Sequence, residues 1–441
     1  MRKAVIIFTR VPAAGCTKTR MMPSLTAEQC ENLHTAFLKD IKAQYEKTGC
    51  DIFVCFTPAD GQEKIRNILG EAEYFPQTDG SLGDKMYCAL KTVLEKGYDM
   101  CLLTGSDIPE VKAEHIERAF GELLKNDVVF GRTADGGYYL VGMKKPLKAP
   151  FEIGSYGHSD VWKNTLENLR KNGLSTGFTE TLEDMDEVED LDGYRFRMYR
   201  DRELARSHTA EFLSKIPRLS VIIPTYNEAK TIERLQDFLE PFRHKCQIIF
   251  ADGGSSDGTQ SLIRPHFRLI NTKKGRARQM NEGALASSGN RLFFLHCDSL
   301  PPKDFIKQTE KALERHDAGC FGIAFDTQSL LMGICRFISN MRAKRGIMFG
   351  DQGIFIKREL FFKAGMFPEI PIMEDYRFSL TLREKGVKTA MTKDRIITSA
   401  RRFPPTFFGR IRVMWLMNRL RKRYRDGEDI GRIAEAYRDI R

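Results

Sequence analysis

The sequence predicts an α/β protein of two tandem units, each built on a mostly parallel sheet, with a basic helical tail after the second. Three observations carry this. Two short β-branched runs, Lys3-Ala-Val-Ile-Ile-Phe-Thr9 and Leu219-Ser-Val-Ile-Ile-Pro-Thr225, are each followed by a polar loop and read as buried parallel strands that open a domain. Between strand-like runs lie segments such as Thr26 to Glu46, Pro302 to Arg315 and Tyr376 to Lys385, where apolar residues recur at three- and four-residue steps. That alternation implies layered α/β structure, in which ligands collect at the carboxyl ends of the strands. Third, landmarks recur in order: Met100-Cys-Leu-Leu-Thr-Gly-Ser-Asp107-Ile-Pro109 against Leu292-Phe-Phe-Leu-His-Cys-Asp298-Ser-Leu-Pro301, then Asp135-Gly-Gly-Tyr-Tyr-Leu-Val141 against Asp351-Gln-Gly-Ile-Phe-Ile-Lys357. The spacings differ, so the halves read as distant versions of one architecture rather than a tandem repeat.

The charged, helix-prone stretch from Asp201 to Pro217 separates the halves. It places a first domain over residues 1–205, a linker over 206–217 and a second domain over 218–441. A chain of 441 residues with 41% hydrophobic and 29% charged side chains is long and apolar enough to fold, which excludes a disordered protein and a disulfide-held mini-protein. The ten cysteines include no Cys-x-x-Cys pair, against a zinc ribbon or thioredoxin-like site, and free thiols fit a reducing cytoplasm. Met1 to Thr9 runs straight into a strand, so no signal peptide is expected. Apolar runs are strand-sized, so any membrane contact is expected to be peripheral. The net charge of +11 suits phosphates, nucleic acid or an anionic membrane surface.

In the second half, Asp252 and Asp257 follow one strand-like run and Asp298 another. A carboxylate there suits Mg²⁺ or Mn²⁺ bridging diphosphate oxygens, with Asp298 the metal ligand, although Asp at such positions also caps helices. Lys273, Lys274, Arg276 and Arg278 surround Gly275, a composition suited to phosphate. Met373-Glu-Asp375 precedes a helix and offers either a cap or a carboxylate to take a proton from an acceptor hydroxyl.

Together, Val221-Ile-Ile-Pro-Thr-Tyr-Asn-Glu228, Asp252-Gly-Gly-Ser-Ser-Asp-Gly-Thr259, Gly275-Arg-Ala-Arg-Gln-Met-Asn281, Leu295-His-Cys-Asp298, Gly350-Asp-Gln-Gly353, Met373-Glu-Asp375 and Ser399-Ala-Arg-Arg-Phe403 resemble family 2 glycosyltransferases, in particular the branch named for arsenosugar biosynthesis. The resemblance covers about 219 to 441. It implies a GT-A-like, Rossmann-like fold, a nucleotide-sugar donor, a divalent metal and inversion at the anomeric carbon. Carried over, Pro224, Tyr226 and Glu228 line the nucleotide pocket, Asp252 holds the base or ribose, and Arg278 and Asn281 lie near the diphosphate. Asp298 holds the metal and Asp375 is the general base. Two departures stand out. The usual acidic pair is His296-Cys297-Asp298, and the Gln-x-x-Arg-Trp element of processive relatives is reduced to the Ser399 to Phe403 run, which implies one transfer per encounter.

In the first half, the loop after the first strand, Val11 to Arg20, carries Gly15, Lys18 and Arg20 but lacks the first glycine of a Walker A loop. With Gly105-Ser-Asp-Ile-Pro109, Asp135-Gly-Gly-Tyr-Tyr-Leu-Val-Gly142 and Asp184-Met-Asp-Glu-Val-Glu-Asp190 it resembles nucleotide-diphospho-sugar transferase-like domains, likewise labelled arsenosugar-associated. That resemblance implies that Gly15, Lys18 and Arg20 bind nucleotide phosphates and that Asp107 and Asp186 bind metal. Ser155-Tyr156-Gly157 stands where a Trp-containing loop is expected.

From Arg401 to Arg425 there are nine cations and no acid, interleaved with apolar residues. This fits an amphipathic helix on an anionic bilayer at the inner face of the membrane, or one whose apolar face packs on the domain; no nucleic-acid module surrounds it. The functional expectation is a metal-dependent glycosyltransferase acting on a small or lipid-linked hydroxyl. Its alternatives are a first domain that makes the activated sugar as a nucleotidyltransferase, and a non-catalytic nucleotide-binding scaffold.

Overall fold

Seven strands build the first sheet: β1 Lys3–Arg10, β2 Asp51–Thr57, β3 Glu73–Pro76, β4 Met100–Thr104, β5 Val128–Arg132, β6 Tyr138–Met143 and β7 Thr176–Phe178. Their order is β3-β2-β1-β4-β6-β5-β7, with β6 antiparallel to both neighbours and the other pairings parallel. Eight strands build the second: β8 Leu219–Thr225, β9 Gln247–Asp252, β10 Arg268–Asn271, β11 Arg291–Phe294, β12 Ser299–Leu300, β13 Ala318–Phe325, β14 Ile354–Lys357 and β15 Thr389–Thr398, in the order β10-β9-β8-β11-β14-β13-β15-β12. Setting aside the two-residue edge strand β12, the second order repeats the first position by position, including the single antiparallel strand, here β14. The recurring landmarks fall on equivalent places, after β4 and β11 and into β6 and β14. Both units are α/β with mostly parallel sheets, as the sequence predicts.

The computed structural model describes residues 1–22, 25–153, 161–327, 329–400, 403–404 and 406–438. The Ser155-Tyr156-Gly157 loop, and Arg401 and Arg402, lie outside the described residues.

The opening strands are apolar on both sides because both faces are covered. Val5 and Ile7 pack in one core and Ala4 and Ile6 in another; Val221 and Ile223 are separated from Ile222 in the same way. The chain divides into Met1–Ile216 and Pro217–Arg441. The stretch expected as a linker is therefore largely a helix of the first unit, His208–Lys215, with Ala210 and Leu213 packed on Leu33 and Phe37. Asp40 fixes its start by accepting from the His208 and Thr209 amides at 2.7 and 2.9 Å.

The tail forms two helices, Phe407–Arg425 and Ile430–Arg438. Leu420 and Ile433 join Ile347, Met373 and Tyr376 in a core, so one face of the tail packs on its own unit. Among the described residues no helix is long and apolar enough to cross a membrane, and the ten cysteines are free thiols.

Candidate functional site

In the second unit the helix Arg276–Ala286 begins at Gly275, whose φ of 143° suits a residue without a side chain. One of its faces looks toward the strand ends. Gln279 is buried there and donates to the Thr225 and Ala251 carbonyls at 2.7 and 2.9 Å, tying the helix to the ends of β8 and β9. Arg276, three residues earlier on that face, pairs with Glu374 at 3.3 Å. Burial works against the Arg276 charge, but Glu374, then Asp375, with Asp298 contributing, hold its pKa above the ordinary value. Burial in turn raises the pKa of Glu374. Arg276, Glu374, Asp375 and Asp298 thus form one electrostatic group.

Arg278 and Asn281, both expected near a diphosphate, lie on the other face of this helix, away from Glu374. The Arg278 guanidinium pairs with Glu369 at 2.6 Å. Asn281 is buried, donating to the Phe367 carbonyl at 2.8 Å and accepting from the Phe367 amide at 3.0 Å. Two residues on a helix are about 200° apart at 3.6 residues per turn, so Arg276 faces Glu374 while Arg278 faces Glu369.

Asp375 lies in the first turn of the helix Glu374–Glu384, entered through Met373 in the left-handed region at φ 67°. The Gly350 amide donates to Asp375 Oδ2 and the Tyr376 amide to Oδ1, both at 2.7 Å. A Cβ on Gly350 would stand 2.5 Å from His296 Nε2 and 3.5 Å from Asp375 Oδ2, so His296 occupies the space that this glycine leaves beside the carboxylate. Phe349 stacks on Tyr376 with ring centroids 5.8 Å apart, and the guanidiniums of Arg342 and Arg421 lie 3.9 and 5.7 Å from the Phe349 centroid. Burial and then the neighbouring Arg342 push the Arg421 pKa down to about 10.

Asp298 sits in the turn after β11 and lines a pocket of about 80 Å³ with Thr231, Arg234, Asp326 and Thr398. Among the described residues no group of three or more His, Cys, Asp or Glu side chains forms a protein cage for a metal. Of the expected nucleotide residues, Pro224 lies in β8, and Lys274 and Tyr226 come together, the ammonium 4.2 Å from the ring centroid. The Glu228 carboxylate accepts from Thr231 at 2.7 Å. Asp252 is fully buried and turned into its own loop, accepting from the Gly254 and Ser255 amides, the Ser255 hydroxyl and Gln260. It shapes the loop, and its expected contact with a base or ribose would require these bonds to open.

In the first unit a lysine stands between the two carboxylates expected to bind metal, Asp107 and Asp186. Lys18 is buried, with a left-handed backbone at φ 52°, and its ammonium lies 2.5 Å from Asp107 and 3.1 Å from Asp186 while donating to the Met185 carbonyl at 2.6 Å. A fixed positive charge already stands between the two carboxylates, where a divalent cation would have to sit. Partial burial acts to raise the Asp107 pKa, but Lys18 outweighs it and holds the carboxyl low. Arg20 reaches Asp186 at 3.4 Å, and Gly15 has open space around it at φ 73°. Behind Lys18, the buried His34 meets Thr9 and Ser106, each at 3.2 Å.

Residues 220–365 match the glycosyl transferase family 2 family, and residues 40–158 match a family described as uncharacterized protein conserved in bacteria (DUF2064). The chain joins a DUF2064 domain to a family 2 glycosyl transferase domain. Among curated proteins, Glycosyltransferase AglE of Haloferax volcanii is 29% identical over 22% of this chain and 35% of its own length. A dolichyl N-acetyl-alpha-D-glucosaminyl phosphate 3-beta-D-2,3-diacetamido-2,3-dideoxy-beta-D-glucuronosyltransferase of Methanococcus voltae is 24% identical over 41% of this chain and 66% of its own. The chain thus spans about a third of the first relative and just under two thirds of the other. Among solved structures, one described as a nucleotide-diphospho-sugar transferase from Desulfovibrio desulfuricans is 29% identical with a TM-score of 0.46, covering 48% of this chain and 94% of that one. A Pyrobaculum calidifontis mannosyltransferase in complex with GDP-Man and Mn²⁺ is 23% identical with a TM-score of 0.37, covering 51% and 70%. Both scores are modest, and the architecture rests on the strand order itself.

In the family 2 domain, the sequence groups Arg276 with Arg278 among the cations suited to phosphate, and the resemblance carries only Arg278 to the diphosphate. The missing signal was helix phase: Gln279 and Arg276 share a face, as do Asn281 and Arg278, and only the partner segments reveal which face meets the strand ends. Arg342 and Arg421 carried no local signal, since they reach Phe349 from helices that tertiary packing brings together.

Proposed function

We propose that the family 2 domain transfers a glycosyl group from a nucleotide-sugar donor to an acceptor hydroxyl, with inversion. The observation that carries this reading is the placement of Asp375, held by two backbone amides beside a half-buried positive charge, Arg276, near the strand-end carboxylate Asp298. Each Asp375 oxygen keeps a lone pair with which to take a proton. In the proposed step Asp375 accepts the acceptor's hydroxyl proton as that oxygen attacks the anomeric carbon. The bond from that carbon to the phosphate oxygen breaks with inversion, and its electron pair leaves on the nucleoside diphosphate. Arg276 stabilises the charge that develops there.

Asp298 would hold the Mg²⁺ or Mn²⁺ together with the donor's own phosphate oxygens, an arrangement that suits a single protein carboxylate and an ion that binds through substrate phosphates. When bound, the ion neutralises diphosphate charge. Lys274 against Tyr226 is read as one wall of the nucleotide pocket, with Pro224 and Glu228 nearby in sequence. The acceptor is a small or lipid-linked hydroxyl, and the DUF2064 domain binds a nucleotide through the loop carrying Gly15, Lys18 and Arg20.

The test is Asp375→Asn assayed with Mn²⁺ and a panel of nucleotide sugars. Turnover falls by about 10² to 10⁴-fold while donor affinity is kept. Loss of donor binding instead would make Asp375 a structural residue. Pyrophosphate formed from a nucleoside triphosphate and a sugar phosphate would instead assign a nucleotidyl transfer to the DUF2064 domain.

A further inference from the structure

We propose that the helices Leu330–Lys344 and Phe407–Arg425 together form a docking surface for an anionic lipid bilayer. On the first helix Leu330, Ile334, Phe337, Ile338 and Met341 recur at three- and four-residue steps, so they share one face, and all are exposed, Leu330 to 82% and Phe337 to 66%. A helix in a folded domain ordinarily turns such a stripe inward. On the second helix Phe407, Phe408, Ile411 and Trp415 are exposed, Phe408 to 82% and Trp415 to 57%, while Val413 and Leu420 on the opposite side are buried. The two helices touch, and Arg342 of one and Arg421 of the other lie over the same Phe349 ring.

Charge selects the occupant. The two helices carry three and seven cations and no acidic residue. Trp415 and five cations between Arg419 and Arg425 line an open hollow of about 700 Å³, in which Asp426 is the one lining acid. Glu428 neutralises Arg423, which leaves Arg419, Lys422 and Arg425 exposed, and the Arg419 guanidinium lies 5.4 Å from the centre of the Trp415 ring. A second copy of the chain would bring this basic rim against itself. A bilayer with anionic headgroups offers both apolar depth for the stripe and negative charge for the rim, with Trp415 at the boundary where tryptophan is favoured. The packed face of the tail and its exposed face are thus two sides of one helix with different partners.

The test uses the full chain with Trp162→Phe, which leaves Trp415 as the remaining one of the two tryptophans. Vesicles of phosphatidylcholine alone are compared with vesicles that also contain phosphatidylglycerol, by sedimentation and by Trp415 emission. The proposal predicts binding and a blue shift with phosphatidylglycerol, reversed by high salt. Arg412→Glu with Arg419→Glu, and separately Phe337→Ser with Ile338→Ser, each lower the partition coefficient by at least about tenfold while the melting curve is kept. Equal binding to both vesicles, no binding to either, or a dimer in solution that the same substitutions dissolve would each overturn it. None of these substitutions touches the group around Asp375, so their outcome is independent of the transferase reading.

Discussion

Arg276 and Arg278 sit two residues apart on one helix and face opposite ways, which gives them different predicted phenotypes. Arg276→Ala should weaken binding of a nucleoside diphosphate with Mn²⁺ by about tenfold or more, because a charge-assisted contact contributes about 1.5–3 kcal/mol. Arg278→Ala removes only an exposed pair with Glu369 and should change affinity less than about twofold, as titration calorimetry would report. Asn281→Ala should leave the Phe367 amide and carbonyl without their partner and cost roughly 2 kcal/mol or more of stability in urea unfolding, with little effect on nucleotide affinity in the folded chain. In the DUF2064 domain, Lys18→Ala should uncover Asp107 and Asp186, and the variant should bind one more Mn²⁺ than wild type by paramagnetic resonance titration. These sites were partly legible. The residue types that suit phosphate and metal stood out in the sequence, but whether a carboxylate faces a ligand or a lysine depends on a contact between Lys18 and Asp186, far apart in the chain.

At the scale of elements, helices were easy to read and their faces were not. The helix expected over Thr26 to Glu46 forms as Ala27–Glu46 behind a Thr26–Gln29 capping box, because periodicity and cap are both local signals. The stretch holding the helix His208–Lys215 reads as charged and helix-prone, but its attachment to the first unit is not a local signal, since the fixing contact is Asp40 on a distant helix. His34 links the helix Ala27–Glu46 to the ends of β1 and β4 and supplies a pH test. Burial lowers its pKa from 6.5 to about 4, against the pull of Asp107. Between these values the unfolded imidazole holds a proton that the folded one refuses. Its contribution is therefore complete above 6.5 and is lost as pH falls through about 4, at most about 3 kcal/mol. Asp184, raised to about 6 by burial and by Asp135, titrates in the opposite sense over an overlapping range. The prediction is accordingly a difference: wild type loses stability relative to His34→Gln as pH falls across that window, measured by urea unfolding of the first unit.

For the whole molecule, the two sheets share one strand order, and that duplication is visible in the sequence as recurring landmarks. The shared order does not give the two units a shared chemistry. At the equivalent turns after β4 and β11, Asp107 faces a lysine whereas Asp298 opens on a pocket and belongs to the group around Arg276 and Asp375. The proposed glycosyl transfer therefore belongs to the second unit. The most direct test is nucleoside diphosphate release from a nucleotide-sugar panel with Mn²⁺, comparing wild type with Asp375→Asn and Asp107→Asn. Release is expected from wild type and from Asp107→Asn, with its loss in Asp375→Asn at unchanged donor affinity. Release that survives in Asp375→Asn, or that disappears only in Asp107→Asn, would contradict this assignment.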